Sequence, residues 1–299
     1  MNGIIHLVDL NKKIWQWSLL TMLALIWGSS FILMKKGLLS FTDIQVASFR
    51  IFISFVLLLP LTISRIKRVK RRHIIPLLVV GFLGNGLPAF LFTKAQTQVS
   101  SSMAGVLNAL TPLFALLVGL IIYKVKFIWH NILGIIVGLF GAAALVLISS
   151  GFNISAQNLY PLLIVLATIF YAFSVNVIKQ KLADLDSVTI IAAAFTFIGP
   201  FGGILLLGSD FSKALTSPNL IQNFSCIFLL ALLSSVLATI LFNYLIKYTT
   251  ALFASSVTYV IPIVAIFWGL IDGESIIIPQ FFAIGAILIG VYLVNKKRA

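Results

Sequence analysis

Residues 83–124, LGNGLPAFLFTKAQTQVSSSMAGVLNALTPLFALLVGLIIYK, align without a gap with residues 233–274, LSSVLATILFNYLIKYTTALFASSVTYVIPIVAIFWGLIDGE. Identical residues fall at Leu83/Leu233, Leu87/Leu237, Leu91/Leu241, Phe92/Phe242, Ala104/Ala254, Pro112/Pro262, Ala115/Ala265, Gly119/Gly269, Leu120/Leu270 and Ile121/Ile271. Chance matching among leucine-rich helices accounts for some of these pairs, but not readily for paired Pro and Gly at one fixed register. A shorter echo links Leu25-Ile26-Trp27-Gly28-Ser29-Ser30 with Ile169-Phe170-Tyr171-Ala172-Phe173-Ser174. The chain therefore reads as one structural unit used twice, over residues 1–151 and 152–299.

The solvent for this unit follows from composition. Of 299 residues, 61% are hydrophobic and 9% charged, and the mean hydropathy is +1.13, far more apolar surface than one water-soluble globule can hide. Apolar runs of about 20 residues recur, each long enough as a helix to cross roughly 30 Å of hydrocarbon. The spacing predicts spans at 16–38, 43–64, 74–95, 101–123, 130–149, 158–180, 187–208, 221–246, 250–271 and 276–295. The first run continues past Trp27 without a short core and cleavage site, so it reads as a span and not as a removed signal peptide. The expected fold is all-α: a polytopic membrane protein of ten transmembrane helices in two five-helix repeats. Five is odd, so the second repeat enters the membrane upside down relative to the first, the arrangement on which alternating access is built.

Charge sets the expected orientation. The net charge is +14, but the basic residues sit between apolar runs and do not form one face for nucleic acid. With both termini inside, the inner segments hold Lys12, Lys13, the run Arg65, Lys67, Arg68, Lys70, Arg71 and Arg72, then Lys124, Lys126, Lys179, Lys181, Lys247, Lys296, Lys297 and Arg298. The outer segments hold only Lys35, Lys36, Lys94 and Lys213. Both termini are thus expected in the cytoplasm. Lys124 inside and Glu274 outside occupy the same repeat register, as the charge rule demands for an inverted copy.

At Trp27-Gly28-Ser29-Ser30-Phe31, with Lys35 eight residues after the Trp, at Arg50 opening the second span, at the repeated Pro and Gly helices and at Asp272-Gly273-Glu274, the sequence resembles the drug/metabolite transporter superfamily. The similarity is to its ten-span EamA-type members and covers nearly the full length. The turn at Asp272-Gly273-Glu274 looks like that family's Gly-Glu turn, whereas the first copy departs from it, reading Tyr123-Lys124. The resemblance implies a bacterial inner-membrane carrier, commonly an exporter of amino acids, other metabolites or drugs.

Two ionisable groups fall within predicted spans, where they cost roughly 2.5–3.5 kcal/mol, and are candidates for function: Lys35 and Arg50. Arg50 lies roughly 10 Å into the second span, so the two could face one outward vestibule and attract a carboxylate or phosphate. The structural alternative has Lys35 reaching the interface and Arg50 bound to carbonyls or to Asp43. Trp27, Ser30 and Met34 share one helix face, and Tyr171, Ser174 and Ile178 repeat that geometry. Asn85 and Asn108 correspond roughly to Ser235 and Thr258, with Asn243 and Tyr259 nearby. Together Trp27, Ser30, Lys35, Arg50, Asn85, Asn108, Tyr171, Ser174, Asn243 and Tyr259 are the expected lining of a substrate cavity; singly, each could serve interhelical hydrogen bonding, worth about 0.6 kcal/mol. Pro112 and Pro262 are candidate hinges or static kinks, and Gly134, Gly138, Gly141, Ala286 and Gly290 are assigned to close packing between the repeats.

Asp9, Asp43, Asp184, Asp186, Asp210, Asp272 and Glu274 all lie at span ends or in connections, so no midplane carboxylate serves a conventional proton relay. Uniport, exchange or coupling through the substrate's own charge fits better. His6, His73 and His130 lie near termini or loops, lone Cys226 excludes multi-cysteine sites, and a Walker motif is absent. No catalytic residue, metal or cofactor is expected. The reading is a secondary transporter, of exporter type, for small organic metabolites, with a channel or non-transporting receptor as the alternative and an intramembrane enzyme further behind. The expected partners are a small-molecule substrate and membrane lipids, with no nucleic acid; monomer and homodimer both stay open.

Overall fold

The structure, a computed structural model, describes residues 12–124, 129–149, 159–248 and 257–295, excepting the side chains of 243, 244, 246–248 and 295. Every regular element among these residues is helical. Eight helices are long and apolar enough to cross a membrane: α1 (Lys13–Ser40), α2 (Asp43–Arg68), α3 (Arg71–Ala95), α4 (Ser101–Tyr123), α5 (Trp129–Ser149), α6 (Tyr160–Lys181), α7 (Ser187–Leu207) and α8 (Leu220–Phe242). Two shorter apolar helices follow, α9 (Val257–Ile271) and α10 (Ile278–Asn295). The predicted segment 250–256 lies outside the described residues. A one-turn helix, Ser212–Leu215, between α7 and α8 escaped the hydropathy reading because it is too short to have a period.

Side-chain caps fix where the tight connections turn. Thr42 opens α2 with a capping box: its Oγ1 accepts from Gln45 N, and Gln45 Oε1 accepts from Thr42 N. Ser100 Oγ accepts from Met103 N at the start of α4, and Asp186 Oδ1 accepts from Thr189 N at the start of α7. These caps let adjacent helices reverse within a few residues.

Long-range contacts sort the connections between two ends. At one end, Asp186 pairs with Arg65 (2.6 Å) and Arg68 (2.8 Å), and Asp184 pairs with Arg72 (2.6 Å), joining the α6–α7 turn to the α2–α3 connection. Asn131 of α5 donates to Val294 O of α10 nearby in the topology, at 2.7 Å. We call this the basic end. At the opposite end, Asn223 donates to Ser40 Oγ (2.6 Å), Gln45 donates to Asp210 O (2.8 Å), and Gln280 donates to Ser149 Oγ (3.0 Å).

Between the ends the helices pack in pairs: α5 on α10, α2 on α7, α4 on α9, α1 on α8 and α9, and α6 on α3 and α4. The α5–α10 seam is built of small residues. A Cβ on Gly134 would stand 2.6 Å from Gly290 O, and one on Gly141 2.8 Å from Ile287 N, so the backbones touch only because these positions are glycine. Outward, Phe140, Leu207 and Phe282 are exposed apolar side chains that only lipid can solvate without cost.

Candidate functional site

Eight helices line a cavity of about 330 Å³, and seven of them supply two or more side chains to it. α1 gives Trp27, Ser30, Phe31 and Met34; α2 gives Arg50; α3 gives Gly84, Asn85 and Phe92; α4 gives Asn108 and Thr111. α6 gives Tyr171, Ser174 and Ile178; α7 gives Ser187, Ile190 and Ile191; α8 gives Ser234, Ser235, Thr239 and Phe242; α9 gives Thr258 and Ile261. The lining reaches Ser187, the first residue of α7, and so extends to the basic end.

Two stretches of π-helix shape this space. Phe82–Gly86 in α3 and Leu230–Leu237 in α8 each wind one residue wider than an α-helix, and they overlap at the register of the internal repeat. Such widening displaces carbonyls from the regular ladder and recurs at functional sites. In α3, Asn85 Nδ2 donates to Val80 O at 3.1 Å, and Gly84 lies so close to Ser174 that a Cβ there would collide with its hydroxyl. In α8, Ser234 O accepts from Trp27 Nε1 at 3.1 Å, and Ser235 Oγ accepts from Arg50 Nε at 3.0 Å. Nothing in an apolar helical run distinguishes π from α winding, so hydropathy could not reveal either stretch.

Aromatic pairs flank the cavity in matching places. Trp27 meets Phe242 edge-on with centroids 5.1 Å apart, and Tyr171 stacks on Phe92 at 6.1 Å. Phe92 and Phe242 share one repeat register, and Trp27 and Tyr171 the other. Each pair joins a helix of one half to a helix of the other.

Of the ten residues expected in the lining, Trp27, Ser30, Arg50, Asn85, Asn108, Tyr171 and Ser174 are brought together there. Two are placed elsewhere, and the side chain of Asn243 lies outside the described residues. Tyr259 turns its hydroxyl to Val291 O of α10, at 3.0 Å. Lys35 does not join Arg50; its Nζ lies 2.7 Å from Asp272 Oδ2 and 2.7 Å from Glu274 Oε1. The alternative expectation for Arg50 also differs, since Asp43 pairs with Lys94 at 3.4 Å.

Glu274 is the hub of this network at the opposite end. Its Oε1 accepts from Ser101 N and Oγ, both at 2.8 Å, and its Oε2 accepts from Ser102 N (3.0 Å) and Oγ (2.6 Å). The carboxylate thus caps α4, where unpaired backbone N–H groups favour negative charge. Burial opposes its ionisation, but Lys35 and the two serines prevail and hold its pKa down at about 2. Gly273, at φ +82°, makes the turn, and Gly269 leaves room for the carboxylate to reach Ser102. The Ser100-Ser101-Ser102 run was a legible helix-start signal, but its acidic partner is more than 170 residues away.

The Trp27-Gly28-Ser29-Ser30 motif divides its work between two neighbours. Gly28 lets α9 approach at Val264, Ser29 Oγ accepts from Trp268 Nε1 at 2.7 Å, and Trp27 and Ser30 turn to the cavity. Pro112 lies at the start of the second segment of α4, after a turn at Ala109–Leu110. The carbonyl it cannot serve, Asn108 O, accepts instead from Thr111 Oγ1 at 2.8 Å. Pro262 sits inside α9 and is buried.

Comparison with known proteins gives consistent likenesses. A sequence profile described as the EamA-like transporter family matches residues 15–147 and again 158–296. An uncharacterized inner membrane transporter, YedA, of Escherichia coli strain K12 is 29% identical over 288 residues, covering 92% of this chain and 89% of the relative. An uncharacterized transporter of Archaeoglobus fulgidus is 25% identical over 291 residues, covering 95% and 99%. An S-adenosylmethionine/S-adenosylhomocysteine transporter of Chlamydia muridarum is 24% identical over 287 residues, covering 92% and 90%. One solved crystal structure shares the fold with a TM-score of 0.61 at 13% identity, over 94% of this chain and 96% of that one.

Proposed function

Because the chain belongs to the EamA-like transporter family, we propose that it is a secondary carrier of the inner membrane that exports a small organic metabolite, of amino-acid or drug-like size, by alternating access. In this reading the ten apolar helices are ten spans, residues 1–151 and 152–299 are two inverted five-helix repeats, and both termini are cytoplasmic. The packing supports it. Exchanging α1 with α6, α2 with α7, α3 with α8, α4 with α9 and α5 with α10 maps every major helix pair onto another or onto itself. The matching π-helical stretches in α3 and α8 obey the same exchange.

The observation that carries the proposal is the cavity itself, with Trp27, Phe92, Tyr171 and Phe242 paired across the halves and hydroxyls and amides between them. Its lining reaches the basic end, while Lys35, Asp272, Glu274, Ser101 and Ser102 tie α1, α4 and the α9–α10 turn together at the other. We assign this arrangement to the inward-facing state. Opening outward then requires the Glu274 network to part, and the polar contacts at the basic end to tighten.

The repeats are unequal in this respect. The register of Glu274 holds Lys124 in the first repeat, so a carboxylate at that register serves the outer end alone. That asymmetry biases the resting state toward the cytoplasm, where an exporter must collect its cargo.

Counterflow in proteoliposomes tests the carrier reading, with radiolabelled amino acids and S-adenosylmethionine as probes. Saturable accelerated exchange is the expected result. Linear, non-saturating flux identifies a channel, and no flux with retained binding a receptor; either overturns the proposal.

A further inference from the structure

Among the described residues, Arg50 is the only charged side chain in the cavity lining. Its Nε is committed to Ser235 Oγ at 3.0 Å, and Ser54 Oγ donates to Arg50 O at 2.7 Å, which steadies the helix turn beneath it. Among the described residues, neither Nη atom has a hydrogen-bond partner within the protein, and no carboxylate lies within ion-pairing distance. The described acids are engaged elsewhere: Asp43 with Lys94, Asp184 and Asp186 with the α2–α3 arginines, Asp210 with Ser212, and Asp272 and Glu274 with Lys35.

An unpaired guanidinium at this depth is costly, and a protein keeps one where a partner arrives from outside. The guanidinium is also oriented. With Nε anchored on the π-helical stretch of α8, the remaining planar fork of two Nη groups matches a two-oxygen anion. The surroundings select further. Asn85, Asn108 and several Ser and Thr hydroxyls offer polar contact within the same cavity, and most of the remaining lining is aromatic and aliphatic. One cation balances one negative charge, whereas a dianionic phosphate would carry its second charge uncompensated into apolar surroundings.

We propose that Arg50 is the anion anchor of the cavity, seating the carboxylate of a monoanionic or zwitterionic substrate whose apolar body packs between Trp27–Phe242 and Tyr171–Phe92. The inference deepens the carrier reading and rests on it for calling the occupant a cargo. It also separates the two basic residues that the sequence placed together: Lys35 is a structural cation and Arg50 the ligand-facing one.

The test measures binding by isothermal calorimetry on the full-length protein in detergent, using matched probes. These are phenylacetate, 3-phenylpropionate and indole-3-acetate, the primary amide of each, and phenyl phosphate. At least one carboxylate is expected to bind tenfold or more tightly than its amide and than phenyl phosphate. Arg50→Gln removes that preference, and Lys35→Gln leaves it. Ser235→Ala, which keeps the charge but frees Nε, reduces the preference several-fold and guards against a folding defect in Arg50→Gln. The inference is overturned if no carboxylate outbinds its amide, if phenyl phosphate binds best, or if the preference survives Arg50→Gln in folded protein. Because the readout is binding alone, a carboxylate preference in a protein that shows no counterflow would retain the anchor and reject the carrier.

Discussion

Replacing Glu274 by Gln removes one negative charge from the network at the non-basic end while keeping the side chain's size. In the folded protein that carboxylate accepts from Lys35 Nζ, from two backbone N–H groups and from two serine hydroxyls. Its pKa falls from an ordinary 4.5 to about 2, which converts at about 1.36 kcal/mol per pH unit to roughly 3 kcal/mol. Glu274 is only 7% exposed, but Lys35 is 31% exposed, and solvent screening there lowers the figure to about 2 kcal/mol. Thermal unfolding of the purified protein in detergent reads this as a fall in Tm of roughly 5 °C. Because the folded pKa is depressed, the stabilisation is present above about pH 4.5 and is lost as pH falls toward 2. The Tm gap between the parent protein and Glu274→Gln is therefore constant from neutral pH to about pH 5 and closes below. Lys35→Met costs a similar amount, and the double variant costs less than the sum of the two single ones, since the Lys35–Glu274 pair they share is lost only once. Additive effects in that cycle, a gap under 1 °C, or a gap that widens on acidification would refute the reasoning.

Two further outcomes follow from the same packing. Gly269→Ala places a methyl group against Ser102 Oγ and the Glu274 carboxylate, so it lowers Tm as Glu274→Gln does, and adding it to Glu274→Gln costs less than it does alone; an unchanged Tm in circular-dichroism melts contradicts this. Thr111→Val strips the substitute donor from Asn108 O above Pro112 and costs about 1 kcal/mol in the same melts, while Thr111→Ser retains most of the stability because its hydroxyl reaches the same carbonyl.

Hydropathy and charge made the helices legible, and their bounds agree with the structure to within a few residues over most of the chain. The half of the chain's chemistry that rides on helical period was legible too: Trp27 with Ser30, and Tyr171 with Ser174, face the cavity as their spacing requires. Long-range partnership was not. Lys35 reads as a cation without a partner in an apolar run because its acids stand at 272 and 274, and only folding brings the α9–α10 turn against α1. Tyr259 has the right depth for a cavity residue but the wrong azimuth, its hydroxyl meeting Val291 O instead. The π-helical stretches carry Ser234, Ser235 and Asn85 into place, yet winding one residue wider leaves no trace in composition. Pairing of Arg50 with Ser235 depends on that winding, and so lay beyond what periodicity could supply.

The most direct test of the central claim, a cavity between two halves that opens to one side at a time, is cysteine accessibility at Asn108. This partly exposed residue lies in the lining, roughly 10 Å along α4 from the non-basic end. Asn108→Cys in a Cys226→Ser background is treated with a membrane-impermeant maleimide in vesicles of known sidedness. The account predicts labelling from the basic face and protection from the other, with labelling from the second face appearing when Glu274→Gln is added. Equal labelling from both faces of the parent protein, or none from either, would contradict it.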